Sequence, residues 1–155
     1  MSVPFERPPT LLAMPTYLAA WVSKRARADV QLALAEHGLA TSDHGVLVAL
    51  ADFGALSQQQ LADRLGADKS HVVRLIDQLE QRGLVTRAPD PTDRRRHRIE
   101  LTPAGRKLVR AVTPITEEVE AAHLKALSAA ERRTLAALLQ RVLESQDRAR
   151  AGQRH

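Results

Sequence analysis

The sequence predicts a mainly α-helical chain with one small β-hairpin. Two observations point there. Apolar residues recur at three- and four-residue spacing in six separate stretches, each bounded by a cap residue, a proline or a glycine. One stretch, residues 84–102, instead alternates on both sides of a Pro/Asp turn, APDPTDRRRH. A length of 155 residues suits one core or two small lobes. With 44% apolar but only 3% aromatic residues, the interior must be built mostly from Ala, Leu and Val.

The first ten residues, with Pro4, Pro8 and Pro9, read as an extended, mobile arm. A long helix is expected from Pro15 to about Glu36, where Leu18, Val22, Val30 and Leu34 recur at helical multiples and Gly38 supplies the stop. Thr41 or Ser42 is placed to cap a second helix ending at Gly54. Ser57 with Gln60 forms a capping box opening a third helix, which stops at Gly66. In ADKSHVVRLIDQLEQRG, Val72, Leu75, Ile76 and Leu79 share one helical side, and Ser70, Arg74, Asp77 and Gln81 lie opposite. LVTRA and RRHRIELT form the hairpin strands. Thr102 then caps a helix with Pro103 at its first position, and Pro114 predicts a kink or early break. Ser128 and Glu131 form another capping box before the last helix, and residues 149–155 read as a frayed tail.

Charge is concentrated. Residues 64–110 carry twelve Lys and Arg against six Asp and Glu, a net +6, while the rest of the chain is −1. Such a local excess suggests a polyanionic partner, since a merely solvated surface scatters its charges. The chain has no cysteine, which excludes disulfides, thiol catalysis and Cys-ligated zinc. No apolar run is long enough for a membrane span and the N-terminus lacks signal-peptide character, so a cytoplasmic location with no membrane association is expected. There is no Gly-rich phosphate loop, HExxH or recognisable Ser/His/Asp set, so neither an enzyme nor a cofactor is expected.

Two short helices joined by a tight Gly-containing turn form a helix-turn-helix. The second presents Lys69, Ser70, His71 and Arg74 at its N-terminal end, where such a helix meets base edges, with Val73 placed to pack on a thymine methyl. An ordinary amphipathic surface helix has the same pattern. The hairpin shifts the balance, because Arg94, Arg95 and Arg96 sit at its turn directly after the helix, as in a wing that follows phosphates or enters a narrow minor groove.

The segment from Ser57 to Leu108 resembles the winged helix-turn-helix of the MarR family of bacterial transcription regulators. The likeness rests on Leu-Glu-x-x-Gly-Leu-Val-x-Arg at Leu79 to Arg87, Asp93-Arg94-Arg95, and Leu-Thr-Pro-x-Gly-Arg at Leu101 to Arg106. It implies a homodimer on a palindromic double-stranded DNA operator, acting as a repressor. It also implies a helical dimerisation lobe from residues 11–37 and 103–148, with a DNA-binding lobe at 38–102. Base reading would fall to Ser70, His71 and Arg74; Asp93 would brace the wing and Arg95 reach the DNA. A small aromatic or phenolic effector, as in other members, would meet Tyr17, Trp21, His44 and Phe53, although a lone tryptophan such as Trp21 is more often core. Two other readings remain: a metal-responsive regulator and an interaction adaptor without DNA. Glu36, His37, Asp43 and His44 surround the first helix junction and His123 lies later, but His37 and His44 lack an i, i+4 ligand spacing, so no metal site is expected.

Overall fold

The structure is a computed structural model that describes residues 6–152. Its elements run α1 (Pro9–Leu12), α2 (Pro15–Ala35), α3 (Thr41–Phe53), β1 (Leu56–Ser57), α4 (Gln58–Leu65), α5 (Lys69–Gln81), β2 (Val85–Pro89), β3 (His97–Leu101), α6 (Pro103–His123) and α7 (Ala129–Gly152). The expected fold class holds: helices dominate, with one small antiparallel sheet. Two compact units divide after Val119.

In the first unit, local chemistry accounts for most boundaries. Ser57 Oγ accepts from Gln60 N–H at 3.1 Å and Gln60 Oε1 accepts from Ser57 N–H at 2.9 Å, so the box opening α4 is complete. Thr102 Oγ1 accepts from Gly105 N–H at 3.1 Å with Pro103 at the first helical position of α6. α3 departs from the expectation of a Thr41 or Ser42 cap. Its cap position is Ala40, and Asp43 reaches back to accept from Ala40 N–H at 3.0 Å. An acidic side chain in the first turn thus takes the N–H of the cap residue itself, and no side chain at the cap position accepts from the helix.

Three further expectations are corrected. The arm is not extended throughout: Pro9 starts the single-turn helix α1, its ring fixing φ near the helical value, while residues 1–5 lie outside the described part. Of the kink or early break expected at Pro114, the break does not occur: α6 runs unbroken to His123. Val109 and Val112, 9% and 0% exposed, anchor the preceding turn, and packing outweighs the hydrogen bond that proline forgoes. At the other end α7 continues to Gly152, because Ala and Arg are strong helix formers. Residues 153–155 of the expected tail lie outside the described part.

The sheet has the order β1-β3-β2, and β1 is a strand the sequence patterns do not signal. Leu56 pairs with Ile99, while Val85 pairs with Leu101 and Arg87 with Ile99. Ile99 is fully buried on the central strand, and with Val85 and Leu101 it faces the α3–α5 helices. All four residues assigned to the inner side of α5 are core: Val72, Ile76 and Leu79 at 0% exposure and Leu75 at 7%.

The second unit holds the end of α6 and α7. Ser128 and Glu131 cap each other as expected, at 2.7 and 3.2 Å. Arg132 Nε donates to the carbonyls of Leu124 and Leu127, both at 3.1 Å, closing the turn before α7. No residue of α7 is buried, and Leu138, Leu139, Val142 and Leu143 are 44–58% exposed. Among the described residues no helix is long and apolar enough to cross a membrane.

Candidate nucleic-acid interface

The helix-turn-helix is set by caps on either side of its turn. Gly66 takes φ +59°, ending α4 in the left-handed conformation glycine adopts without strain. Asp68 then opens α5, accepting from Ser70 N–H at 3.1 Å and His71 N–H at 3.3 Å. The Ser70 hydroxyl also donates to Asp68. Its proton is therefore engaged, and only its lone pairs face outward. These hydrogen bonds, led by that from the Ser70 hydroxyl, hold the Asp68 carboxyl below its ordinary value. Lys69, Ser70 and Arg74 are exposed, while His71 and Val73 are half-buried. Arg74 Nη2 lies 3.3 Å from His71 Nδ1, so these two side chains form one polar group on the outer face.

The hairpin turn is built by two aspartates. Asp90 Oδ1 accepts from Thr92 N–H at 2.8 Å and from the Thr92 hydroxyl at 2.6 Å. Asp93 Oδ1 accepts from Arg95 N–H at 3.0 Å, and Asp90 N–H donates to the Arg96 carbonyl at 2.8 Å, closing the loop. Asp93 also faces two guanidinium groups, Arg96 at 3.6 Å and Arg95 at 3.9 Å. The three arginines are unequal: Arg95 is 95% exposed and Arg96 77%, and Arg94 is exposed with no ion pair among the described residues.

Helix and wing meet across a groove of about 520 Å³, lined by Ser57, Gln58 and Gln59 at the start of α4, Lys69 on α5, and Arg95, Arg96 and His97 on the hairpin. Gln58, Gln59 and His97 are absent from the sequence-based set. The Ser57 capping box marks where α4 begins, but only the pairing of β1 with β3 brings that helix end beneath the wing.

Tertiary structure also sorts the basic residues. Arg87 on β2 binds Asp77 at 2.5 Å and Glu80, both on α5. Burial lowers its pKa, but the hydrogen bonds to Asp77 and Glu80 outweigh this and the net shift is upward. Arg98 donates to the Ala55 carbonyl at 2.6 Å and Arg106 to that of Leu101 at 2.8 Å. Arg82 lies 3.8 Å from Asp43, the buried carboxylate that opens α3. These four are tied internally, whereas Lys69, Arg74 and Arg94 are exposed with no ion pair among the described residues, and Arg95 and Arg96 face only Asp93.

The four aromatic and histidine candidates for an effector do not converge within the single chain. Tyr17 and Trp21 meet edge-on at 6.2 Å and line a pocket of about 190 Å³ with Arg7, Leu12, Leu18, Val22 and Arg25. Trp21 is 38% exposed, so it is not core here, and Arg7 and Lys24 lie 5.2 and 5.1 Å from its ring centre. Phe53 sits under the Arg64 guanidinium at 3.9 Å. His44 is half-buried, its Nε2 enclosed without a hydrogen-bond partner, and burial pushes its pKa down. A larger pocket of about 460 Å³ lies elsewhere, with Leu50, Leu101, Arg106, Val109 and Arg110 in its wall. Among the described residues no three His, Asp or Glu side chains gather so as to hold a metal ion.

Comparison with known proteins agrees with this geometry. A MarR family model matches residues 37–96. A putative transcriptional regulatory protein for the hcr operon of Thauera aromatica is 35% identical over 68% of this chain. The HTH-type transcriptional repressor NicR of Pseudomonas putida is 33% identical over 66%. The matched part spans 63% and 65% of those two proteins' own lengths. The transcriptional regulator HosA of Escherichia coli is 30% identical over 69% of this chain and 79% of its own. Among solved structures, CouR from Rhodococcus jostii bound to p-coumaroyl-CoA superposes with a TM-score of 0.78 at 28% identity, covering 90% of this chain and 96% of its own. BpsR from Bordetella bronchiseptica, whose DNA binding is regulated by 6-hydroxynicotinic acid, gives 0.76 at 29%, covering 88% and 97%. The S. aureus MepR–DNA complex gives 0.73 at 29%, covering 85% and 98%. Matching motifs, fold and relatives agree, and the chain belongs to the MarR family.

Proposed function

We propose that this chain is a sequence-specific double-stranded DNA-binding regulator of transcription, acting as a repressor. The observation that carries this reading is the groove in which Lys69, Arg95 and Arg96 converge from two elements. Arg74 and Arg94 lie exposed on the same two elements, while the neighbouring Arg87 and Arg98 are tied internally. Three exposed guanidinium groups against one carboxylate, on a hairpin beside a capped helix N-terminus, suit a phosphate backbone and the groove it borders. Lys69, Ser70, His71, Val73 and Arg74 are assigned to base edges and adjoining phosphates, and Arg94, Arg95 and Arg96 to the minor groove and its phosphates. Asp93 is the wing brace. The solved MepR–DNA complex and the repressor name of NicR support the assignment.

The working form in this proposal is a homodimer. A 24-residue helix with no buried residue and four apolar side chains about half exposed is costly to leave in water. Residues 11–37 and 103–148 would form the paired lobe and 38–102 the DNA-binding lobe. Two-fold symmetry then requires a palindromic operator with half-sites about one duplex turn apart. A small effector releases the DNA, for which CouR and BpsR are the supporting neighbours. Tyr17, Trp21, His44 and Phe53 remain the candidate contacts, with Tyr17 and Trp21 favoured by their shared pocket. Such a protein works in the cytoplasm with no resident cofactor, catalysis or membrane contact.

Selection of bound fragments from a genomic DNA library tests this reading. Recovered fragments should share one palindrome, and affinity should fall with salt at about 0.9 log units per log unit for each phosphate contacted. Recovery of no common sequence, or salt-independent binding, overturns the proposal. A monomer in sedimentation at micromolar concentration overturns the dimer.

A further inference from the structure

We propose that Arg87 is the positioning residue that locks the wing to the recognition helix through the carboxylates of Asp77 and Glu80, so that both meet DNA as one preset surface. The inference rests on the DNA-binding reading above. It concerns how the surface is held, whichever sequence it reads.

Asp77 and Glu80 lie one turn apart on the outer half of α5, and the two terminal nitrogens of Arg87 divide between them. The arginine side chain is 21% exposed and the carboxylates 51% and 40%. The guanidinium is thus the sheltered partner, while both carboxylates stay open to solvent. Beyond the stem the hairpin has no core of its own: residues 91–97 are all exposed or half-buried. Where its tip points is therefore decided at the stem. β3 is held on the far side by pairing with β1 and by Arg98 on the Ala55 carbonyl at 2.6 Å. On the α5 side, Leu84 and Val85 pack at the start of β2, and Arg87 is the polar tie nearest the tip.

The signs of the charges sharpen the idea. Asp77 and Glu80 add negative charge to a helix that faces a polyanion, which weakens attraction for DNA unless they serve another purpose. Two explanations then separate cleanly. If only electrostatics matters, Asp77→Asn with Glu80→Gln should tighten binding, and Arg87→Met should weaken binding to all sequences alike. If Arg87 positions the wing, the near-isosteric acid variant must weaken binding despite the loss of two negative charges.

The experiment measures the affinity of the full-length protein for the selected fragment and for a random duplex, with each variant first checked as folded by circular dichroism. Arg87→Met and the Asp77→Asn/Glu80→Gln double variant should each weaken specific binding about tenfold, the size expected when two or three wing side chains are ordered on binding instead of beforehand. The ratio of specific to random affinity should fall in both, and the triple variant should be no worse than either. Arg87→Lys, which holds one carboxylate at a time, should fall between. Amide exchange at Asp90, Thr92, Arg95 and Arg96 should quicken in the same variants without DNA. Unchanged or tighter binding by the acid variant, with the wild type bound normally, overturns the brace alone. Failure of the wild type to bind DNA overturns the regulator reading and the brace with it.

Discussion

Gly105 offers a sharp test of the packing between the hairpin and α6. It lies in the first turn of that helix, where replacing glycine by alanine ordinarily stabilises by about 1 kcal/mol. Here a Cβ would lie 2.1 Å from the Leu84 carbonyl oxygen and 3.2 Å from Leu101 Cδ2. Ordinary contact begins at 3.4 Å, so backbone must separate by about 1.3 Å. That carbonyl accepts from Thr102 N–H at 3.1 Å, and the Thr102 hydroxyl donates to the neighbouring Gly83 carbonyl at 2.6 Å. Opening the contact loosens both hydrogen bonds, at about 1 kcal/mol each, and adds about 1–3 kcal/mol of overpacking strain. After the helix-propensity gain, Gly105→Ala should destabilise by about 2–4 kcal/mol, a fall of roughly 4–16 °C in Tm for a chain of this size. Urea unfolding followed by circular dichroism measures it, with Gly66→Ala as the comparison. That glycine has φ +59° and nothing within 4 Å of its Cβ, so it should lose only about 1–2 kcal/mol of left-handed strain. A Gly105→Ala protein as stable as the wild type would show that the hairpin and α6 do not meet as closely as described.

Three other outcomes follow from the same structure. Ser57→Ala removes half of the α4 capping box and should cost about 1 kcal/mol in urea unfolding; no change would mean that the β1 pairing alone sets this boundary. Arg95→Ala should weaken binding to every duplex and lower the salt slope by about one, whereas Arg74→Ala should relax base preference at about 1–3 kcal/mol per lost contact. Equal loss on specific and random DNA in both would sink the division of labour between helix and wing. Burial places the His44 pKa below its ordinary 6.5, so the unfolded chain takes up a proton that the folded chain resists. Stability is therefore fully present above 6.5 and lost as pH falls from 6.5 through the lower folded value. His44→Gln should flatten that decline, and identical pH profiles for the two proteins would remove His44 as its source.

Much of the architecture was legible because it is local. The Ser57, Thr102 and Ser128 caps hold as expected, since a hydroxyl three residues from its target N–H needs no distant partner. The inner face of α5 was readable for a similar reason, its apolar spacing leaving one way to bury Val72, Leu75, Ile76 and Leu79. Local signals also misled: the cap of α3 falls at Ala40, whose own N–H Asp43 accepts, and Pro114 does not break its helix, which the Val109–Val112 packing carries through.

The sequence by itself determined the order of the six longer helices and the hairpin, the helix-turn-helix among them, and the concentration of positive charge between residues 64 and 110. Only the tertiary structure decided which of those charges are tied to neighbouring groups and which stand open to solvent. Arg87 and Arg96 look alike in the chain, yet one is spent on Asp77 and Glu80 while the other stands 77% exposed on the hairpin. The two-residue strand β1 carries no periodicity of its own, but its pairing with β3 brings Gln58 and Gln59 under the wing. Helix periodicity and capping act over a few residues and can be read along the chain. The fate of a long charged side chain depends on what folding brings within 3–4 Å of its end, which no local pattern specifies.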